Sequence, residues 1–196
     1  MLCCGDAARD DGGMRSVELV FDEGSDAGVR RAWDALIDRG LPSAGRRSGA
    51  TNAPHVTLAV LEGTDRSGAE DARLLSGLAD RLPLELALSG IILFGDGPRR
   101  VLGRPVIVAA DLLALQREVV ARLGGAERVI PHTVPDAWTP HVTLARRMPV
   151  DRLAEALDLV ADAPSRVRAV RMRVWDAEVK RVFAVDEAQS ASASAR

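Results

Sequence analysis

The sequence predicts a sandwich of strands and helices, α/β or α+β, built as two related lobes. Three observations carry that expectation. One hexapeptide occurs twice, as Pro54-His55-Val56-Thr57-Leu58-Ala59 and as Pro140-His141-Val142-Thr143-Leu144-Ala145, with equivalent positions 86 residues apart. A six-residue identity inside a chain of this size arises by chance roughly once in a thousand. The order strand, helix, loop, short strand, helix, strand recurs in both halves at that period, which is too long for a solenoid and suits a duplicated lobe. The length of 196 residues suits one domain, which can bury about 70% of its unfolded surface without a disulfide or metal staple.

Each element follows from local pattern. Residues 1–14 read as a disordered leader, small and acidic, and 187–196 as a frayed Ser/Ala tail. The folded part spans 15–186, with lobes over roughly 15–97 and 98–186. Val17, Leu19 and Phe21 alternate with polar neighbours and predict a strand. Ser25 or Asp26 then caps a helix whose stripe is Val29, Trp33, Leu36 and Ile37, ended by Gly40. Residues 41–52, rich in Gly, Ser and Arg, read as a flexible loop. A short strand over 55–61 follows. Ser67 and Glu70 form a capping box for a helix with Leu74, Leu75 and Leu78 inward. Residues 82–94 read as one strand. In the second half, 101–109 is a strand, and Asp111 caps a helix with Leu112, Leu115, Val119 and Leu123 inward. A Pro-rich loop covers 130–140, and 141–145 is a strand. Asp151 caps a helix carrying Leu153, Leu157 and Val160, and strands over 166–175 and 178–185 close the chain.

Composition narrows the partners. The formal net charge is −2, from 26 Lys+Arg against 28 Asp+Glu. That argues against wrapping long duplex nucleic acid, which calls for a strongly basic surface, and leaves small anionic substrates open. Lys180 is the only lysine, so phosphate contacts fall to planar guanidinium forks. No apolar run reaches the roughly 18 residues of a membrane span, and no membrane partner is expected. No secretory signal is visible, so a reducing cytoplasm is the expected location. Cys3 and Cys4 are adjacent in the leader, and two thiols alone make no zinc site. Walker, GxSxG and HExxH patterns are absent.

The repeat carries the chemistry. The chain has three histidines, and two hold the same place in the hexapeptide. Side chains alternate faces along a strand, so His55 and Thr57 point one way while Val56 and Leu58 point to a core. His141 and Thr143 do the same in the second copy. Related by a twofold axis, the two His/Thr pairs line opposite sides of one cleft. Such a pair suits in-line phosphoryl displacement without a metal. A neutral histidine takes a proton from the attacking hydroxyl, and a protonated one gives a proton to the leaving oxygen. The Thr57 and Thr143 hydroxyls donate to non-bridging oxygens.

These tandem His-x-Thr-x motifs resemble the 2H phosphoesterase superfamily of 2'-5' RNA ligases and cyclic phosphodiesterases. The run His55-Val56-Thr57-Leu58-Ala59-Val60-Leu61-Glu62-Gly63 is similar to the family pattern HxTLxFLG, departing at Val60, usually aromatic, and at the inserted Glu62. The second motif is followed by Arg146, as is frequent in the family. The resemblance implies an α+β, bilobal fold of antiparallel-rich sheet flanked by helices. It implies opening of 2',3'-cyclic phosphates of RNA ends or nucleotides, with no cofactor or metal, and reversible 2'-5' ligation at the same site. It also assigns His55 as the acid and His141 as the base. A 2'-5' phosphodiesterase, or a non-catalytic module binding RNA ends or nucleotides, is the alternative. A monomer is expected.

Other residues are weighed individually. Arg146 is a candidate phosphate ligand, although an odd number of steps from His141 puts it on the opposite face of a regular strand. Trp138, three residues before His141, is a candidate for stacking on a base, with core packing or loop anchoring as the equal alternative. His132 lacks the strand context and reads as a solvated loop residue. Arg46, Arg47, Arg99 and Arg100 lie in loops from which they can meet phosphates.

Overall fold

The first strand is buried on both faces from Val17 onward, not on alternate residues as its sequence pattern suggests. The computed structural model describes residues 13–186 apart from 48, 50 and 64, so most of the expected leader and the whole tail lie outside the described residues. Within the leader, Met14 already belongs to β1 (Met14–Phe21). Val17, Leu19 and Phe21 are buried on the core face of that strand.

Helix α1 (Glu23–Asp38) is capped by Asp22, not by Ser25 or Asp26. The Asp22 carboxylate accepts from the Ser25 N–H at 2.8 Å. Ser25 Oγ instead accepts from the Arg168 N–H, so tertiary contact took the expected cap away. Gly40, with φ 72°, ends the helix turn as expected. The 41–52 segment holds a short 3₁₀ turn, Ala44–Arg46. Ser43 Oγ donates to Trp33 O, and Asn52 Nδ2 donates to Ala44 O and Arg47 O, so the described part of this loop is tied down.

After β2 (His55–Glu62) comes α2 (Gly68–Leu74), whose Ser67/Glu70 capping box is present. Leu75 and Leu78 are buried, whereas Leu74 is 41% exposed because the helix stops there and the turn aims the next leucines inward. The expected strand over 82–94 is two strands, β3 (Leu84–Ala87) and β4 (Ile92–Phe94). Strand β5 (Arg99–Pro105) leads to α3 (Ala110–Arg122), which buries Leu112, Leu115 and Val119, with Leu123 following. Asp111 lies inside the first turn rather than capping it, where its charge still suits the helix dipole. Strand β6 (His141–Pro149) precedes α4 (Leu153–Leu159). Asp151 sits in a 3₁₀ turn before α4 and does not cap it, and Leu157 is 40% exposed on a helix of only seven residues. Strands β7 (Arg166–Asp176) and β8 (Arg181–Ala184) finish the described chain.

All strands join one antiparallel sheet in the order β3-β7-β1-β2-β6-β5-β4, with β8 also on β7. The two sequence halves are therefore interleaved. Strand β7, late in the second half, pairs with β1, while β4, late in the first half, pairs with β5. The sheet curls until its ends touch at a Leu88–Val106 bridge. That is why 82–94 breaks: its first part serves β7 and its last part serves β5. Arg104 locks the bend by donating to Ser89 O and to Ala163 O. The helices also cross between halves. Trp33 of α1 bonds β6, and Gln116 of α3 bonds β2.

Candidate active site

Strands β2 and β6 meet at a single residue pair, Val56–Val142. These are equivalent positions of the repeated hexapeptide, which is the arrangement a twofold axis between the strands produces. One step to either side, the antiparallel register sets His55 beside Thr143 and Thr57 beside His141. Val56, Val142, Leu58 and Leu144 are buried in the core, and the His/Thr pairs are half-buried on the other face. The four residues expected from the sequence are thus brought together.

The strands diverge beyond that pair, which leaves the Thr57 and Thr143 carbonyls without ladder partners. Two indoles fill the gap. Trp138 Nε1 donates to Thr57 O at 2.9 Å, and Trp33 Nε1 donates to Thr143 O at 3.0 Å. Trp138, for which the sequence leaves base stacking and core packing both open, is engaged as this wedge and packs against the core.

Both histidines are oriented in the same way. His55 Nδ1 lies 2.7 Å from Ala53 O and His141 Nδ1 lies 2.9 Å from Thr139 O. A carbonyl only accepts, so each Nδ1 carries a proton and Nε2 is left for chemistry. Burial holds the His141 imidazole below its usual pKa, against the Thr139 carbonyl, which favours its charged form. Nearby Arg146, His55 and His132 lower it further. The exposed loop residue His132 is also lowered by burial, with Glu62 opposing.

The surroundings of the two histidines differ. Beside His55, the buried Glu18 carboxylate has Oε1 3.6 Å from Nε2. Ser16 Oγ donates to the same oxygen, and Arg173 donates to Oε2 at 2.8 Å. In the other half the place of Glu18 is taken by Gly103, opposite Thr143 as Glu18 is opposite Thr57. A Cβ on Gly103 would stand 3.3 Å from the His141 ring. Phe94 completes that side, its ring centroid 4.5 Å from that of His141.

Arg146 departs from the regular-strand expectation. In β6, Leu102 faces Ala145 and Gly103 faces Thr143, so Leu144 is an extra residue in the ladder. Strand β2 has the same bulge at Leu58. A bulge breaks the two-residue alternation. Leu144 and Ala145 are both buried, and Arg146 returns to the His/Thr face. There it lines a pocket of about 80 Å³ with Trp33, Ser43, Ala44, Arg47, Asn52, His55 and Thr143. Of the other arginines weighed from the sequence, Arg46 donates to Leu41 O, and Arg99 and Arg100 lie in β5 rather than in a loop, with Arg100 donating to Gly95 O away from this pocket.

Sequence reasoning passed over Glu18, Arg173, Phe94 and Trp33. A charged residue in a half-polar strand reads as solvent-facing, and only strand pairing shows that Glu18 is covered. The bulges did leave a signal, the adjacent apolar Leu58-Ala59 and Leu144-Ala145 in both copies.

Residues 25–181 match the family model described as the 2'-5' RNA ligase superfamily. No curated protein matches the chain in sequence. Among solved structures, Escherichia coli LigT in its apo form is 15% identical, covering 89% of this chain and 95% of LigT with a TM-score of 0.54. LigT complexed with 3'-AMP gives 14% identity, the same coverage and 0.51. LigT complexed with NADP+ gives 15% identity, the same coverage and 0.52. The α+β curled sheet with its four helices is the fold that this chain shares with LigT.

Proposed function

The chain belongs to the 2'-5' RNA ligase superfamily, and from that membership we propose that it is a phosphoesterase opening 2',3'-cyclic phosphates at RNA ends or on nucleotides, with reversible 2'-5' ligation at the same site. One observation carries the reading. Two twofold-related histidines, each with Nδ1 on a backbone carbonyl, stand across one residue pair, each beside the threonine of the other copy. Nucleotides held by LigT, 3'-AMP and NADP+, support a nucleotide-bearing substrate.

The reaction is an in-line displacement. Neutral His141 takes a proton from the attacking water at Nε2. Protonated His55 gives its proton to the leaving 2' or 3' oxygen, with Glu18 placed to face the imidazolium. Burial of His141 favours the neutral form that a base needs. The Thr57 and Thr143 hydroxyls hold non-bridging oxygens, and Arg146 and Arg47 supply positive charge at the pocket beside them. Every role falls to a side chain of the protein, so turnover is expected to survive EDTA. The test is a product-resolved screen in EDTA of 2',3'-cyclic nucleotides, 2'-5' dinucleotides and ADP-ribose cyclic phosphate. Ring opening to one phosphomonoester regioisomer is expected. Cleavage of the 2'-5' dinucleotides alone would make the chain a 2'-5' phosphodiesterase. Activity that needs an added divalent ion, or binding with no turnover of any substrate, overturns the proposal.

A further inference from the structure

Strand β7 carries four arginines, Arg166, Arg168, Arg171 and Arg173. Between them Val167, Ala169, Met172 and Val174 are buried in the core, so the arginines share the opposite face. Pairing identifies that face. Arg173 is opposite Glu18 and Arg171 opposite Val20, on the side of the sheet that bears His55. A bulge at Val170 keeps Arg168 and Arg166 on it, opposite Glu85 and Ala87 of β3. Arg166, Arg168 and Arg171 are exposed.

The row is continuous with the site. Arg173 donates to Glu18, whose other oxygen lies 3.6 Å from His55 Nε2. Arg168 is partly neutralised, with Nε 3.3 Å from Glu85 and the Asp22 carboxylate also near it, whereas among the described residues no carboxylate pairs with Arg166 or Arg171. Charged residues often blunt a free sheet edge, but β7 is an inner strand, with β1 on one side and β3 and β8 on the other. Nor is the row a by-product of a basic chain, since the net charge is −2.

We propose that the arginine face of β7 is a track for the backbone of a single-stranded polynucleotide whose reacting end sits between His55 and His141. This deepens the phosphoesterase reading and rests on it. Arg166 and Arg168 stand two apart, as do Arg171 and Arg173, a repeat of about 6.6 Å along a strand that lets paired guanidinium forks meet successive phosphates, and the bulge at Val170 sets the two pairs three residues apart on the same face. Each fork takes a phosphate by paired charge-assisted hydrogen bonds. The substrate class is therefore an RNA with several nucleotides ahead of its cyclic phosphate, rather than a mononucleotide.

The test uses the full chain and the triple variant Arg166→Ser/Arg168→Ser/Arg171→Ser, which spares Arg173 and its Glu18 contact. The single variant Arg171→Gln guards against loss of folding in the triple. kcat/KM is measured on a dinucleotide and a decanucleotide, each ending in a 2',3'-cyclic phosphate, from about 50 to about 200 mM salt. The wild type is expected to favour the decanucleotide about tenfold at low salt. The triple variant is expected to lose that preference. Its slope of log kcat/KM against log salt falls by about 2, from three lost contacts at about 0.7 each for a single strand. Arg171→Gln shows about a third of that change. Equal turnover of both lengths by the wild type, or a length preference unchanged in the variants, overturns the track. If the wild type cleaves neither, the phosphoesterase reading fails, and anisotropy with a fluorescent decanucleotide ending in a 3'-phosphate still decides the track. Tight binding by the wild type that weakens at least tenfold in the triple variant upholds it. Equal binding by both, or equally tight binding of a duplex of the same length, overturns it.

Discussion

His55 and His141 are alike in orientation and unlike in surroundings, and the proposed mechanism divides the labour between them on that difference. His55→Ala and His141→Ala are each expected to lower turnover about 10²–10⁴-fold, about 3–5 kcal/mol of barrier. The double variant should lose much less than the product, because the groups act as a unit. Retention of more than half the activity by either single variant refutes the assignment. A second test separates acid from base. On a substrate whose leaving group needs no proton, His55→Ala is expected to recover much of its rate and His141→Ala is not. The reverse pattern swaps the roles. The pH profile of kcat/KM follows from the same burial. A base held below the usual imidazole pKa stays unprotonated at pH values where a solvated one is charged. The acid limb of the bell is therefore expected below about pH 6.5. An acid limb above that value contradicts it. Both histidines and both threonines were legible in the sequence, because identity over six residues needs no tertiary knowledge. Glu18 was not, because its burial depends on β7.

At the scale of elements, the site is held by strands that touch once and then part. The indoles of Trp33 and Trp138 satisfy the two carbonyls exposed by that parting. Trp138→Phe keeps an aromatic ring but deletes the donor and part of the indole's volume, so about 1–3 kcal/mol of stability is expected to go with the orphaned Thr57 carbonyl and the lost packing. Chemical denaturation reads this loss, and Trp33→Phe should match it through Thr143. Loss of catalysis with no change in stability would instead make Trp138 a substrate contact. Gly103 tests the close approach of β5 to β6. A Cβ there stands 3.1 Å from Val142 O, a backbone atom that yields little, and 3.3 Å from the His141 ring. Gly103→Ala is expected to displace His141, lowering kcat about tenfold while overpacking costs about 1–3 kcal/mol. An unchanged kcat would show that the ring has room. Helix ends were read less well than helix faces. Asp22, Ser25 and Asp26 all have the chemistry of a cap, and the backbone course after β1 selected Asp22.

At the scale of the molecule, the first half's β4 pairs with β5 and the second half's β7 pairs with β1 in one curled sheet, so neither half is complete without the other. A pH dependence of stability follows from groups in both halves. His141 and His132 have lowered pKa values in the folded protein. Folding therefore resists their protonation. Their contribution is full above the unfolded imidazole pKa of about 6.5 and is lost as pH falls from there through the lowered folded values. The denaturation midpoint is expected to drop between pH 7 and pH 5, and His141→Asn should reduce the drop. A flat midpoint over that range refutes it. A second decline belongs below about pH 4, where Asp22, Asp65, Glu70 and Glu155, all held low by hydrogen bonds, become protonated.

The sequence by itself determined the duplication, the four residues that meet at the candidate site, most strands and the inward stripe of each long helix. These are properties of near neighbours, carried by periods of two and 3.6 residues and by caps such as Ser67 with Glu70. Only the tertiary structure decided which strands pair. The break in 82–94, the exchange of β4 and β7, the bulges that return Arg146 to the site and the burial of Glu18 all depend on it. Pairing is set by which surfaces exclude water together across distant stretches of chain, and a local pattern holds no record of its partner.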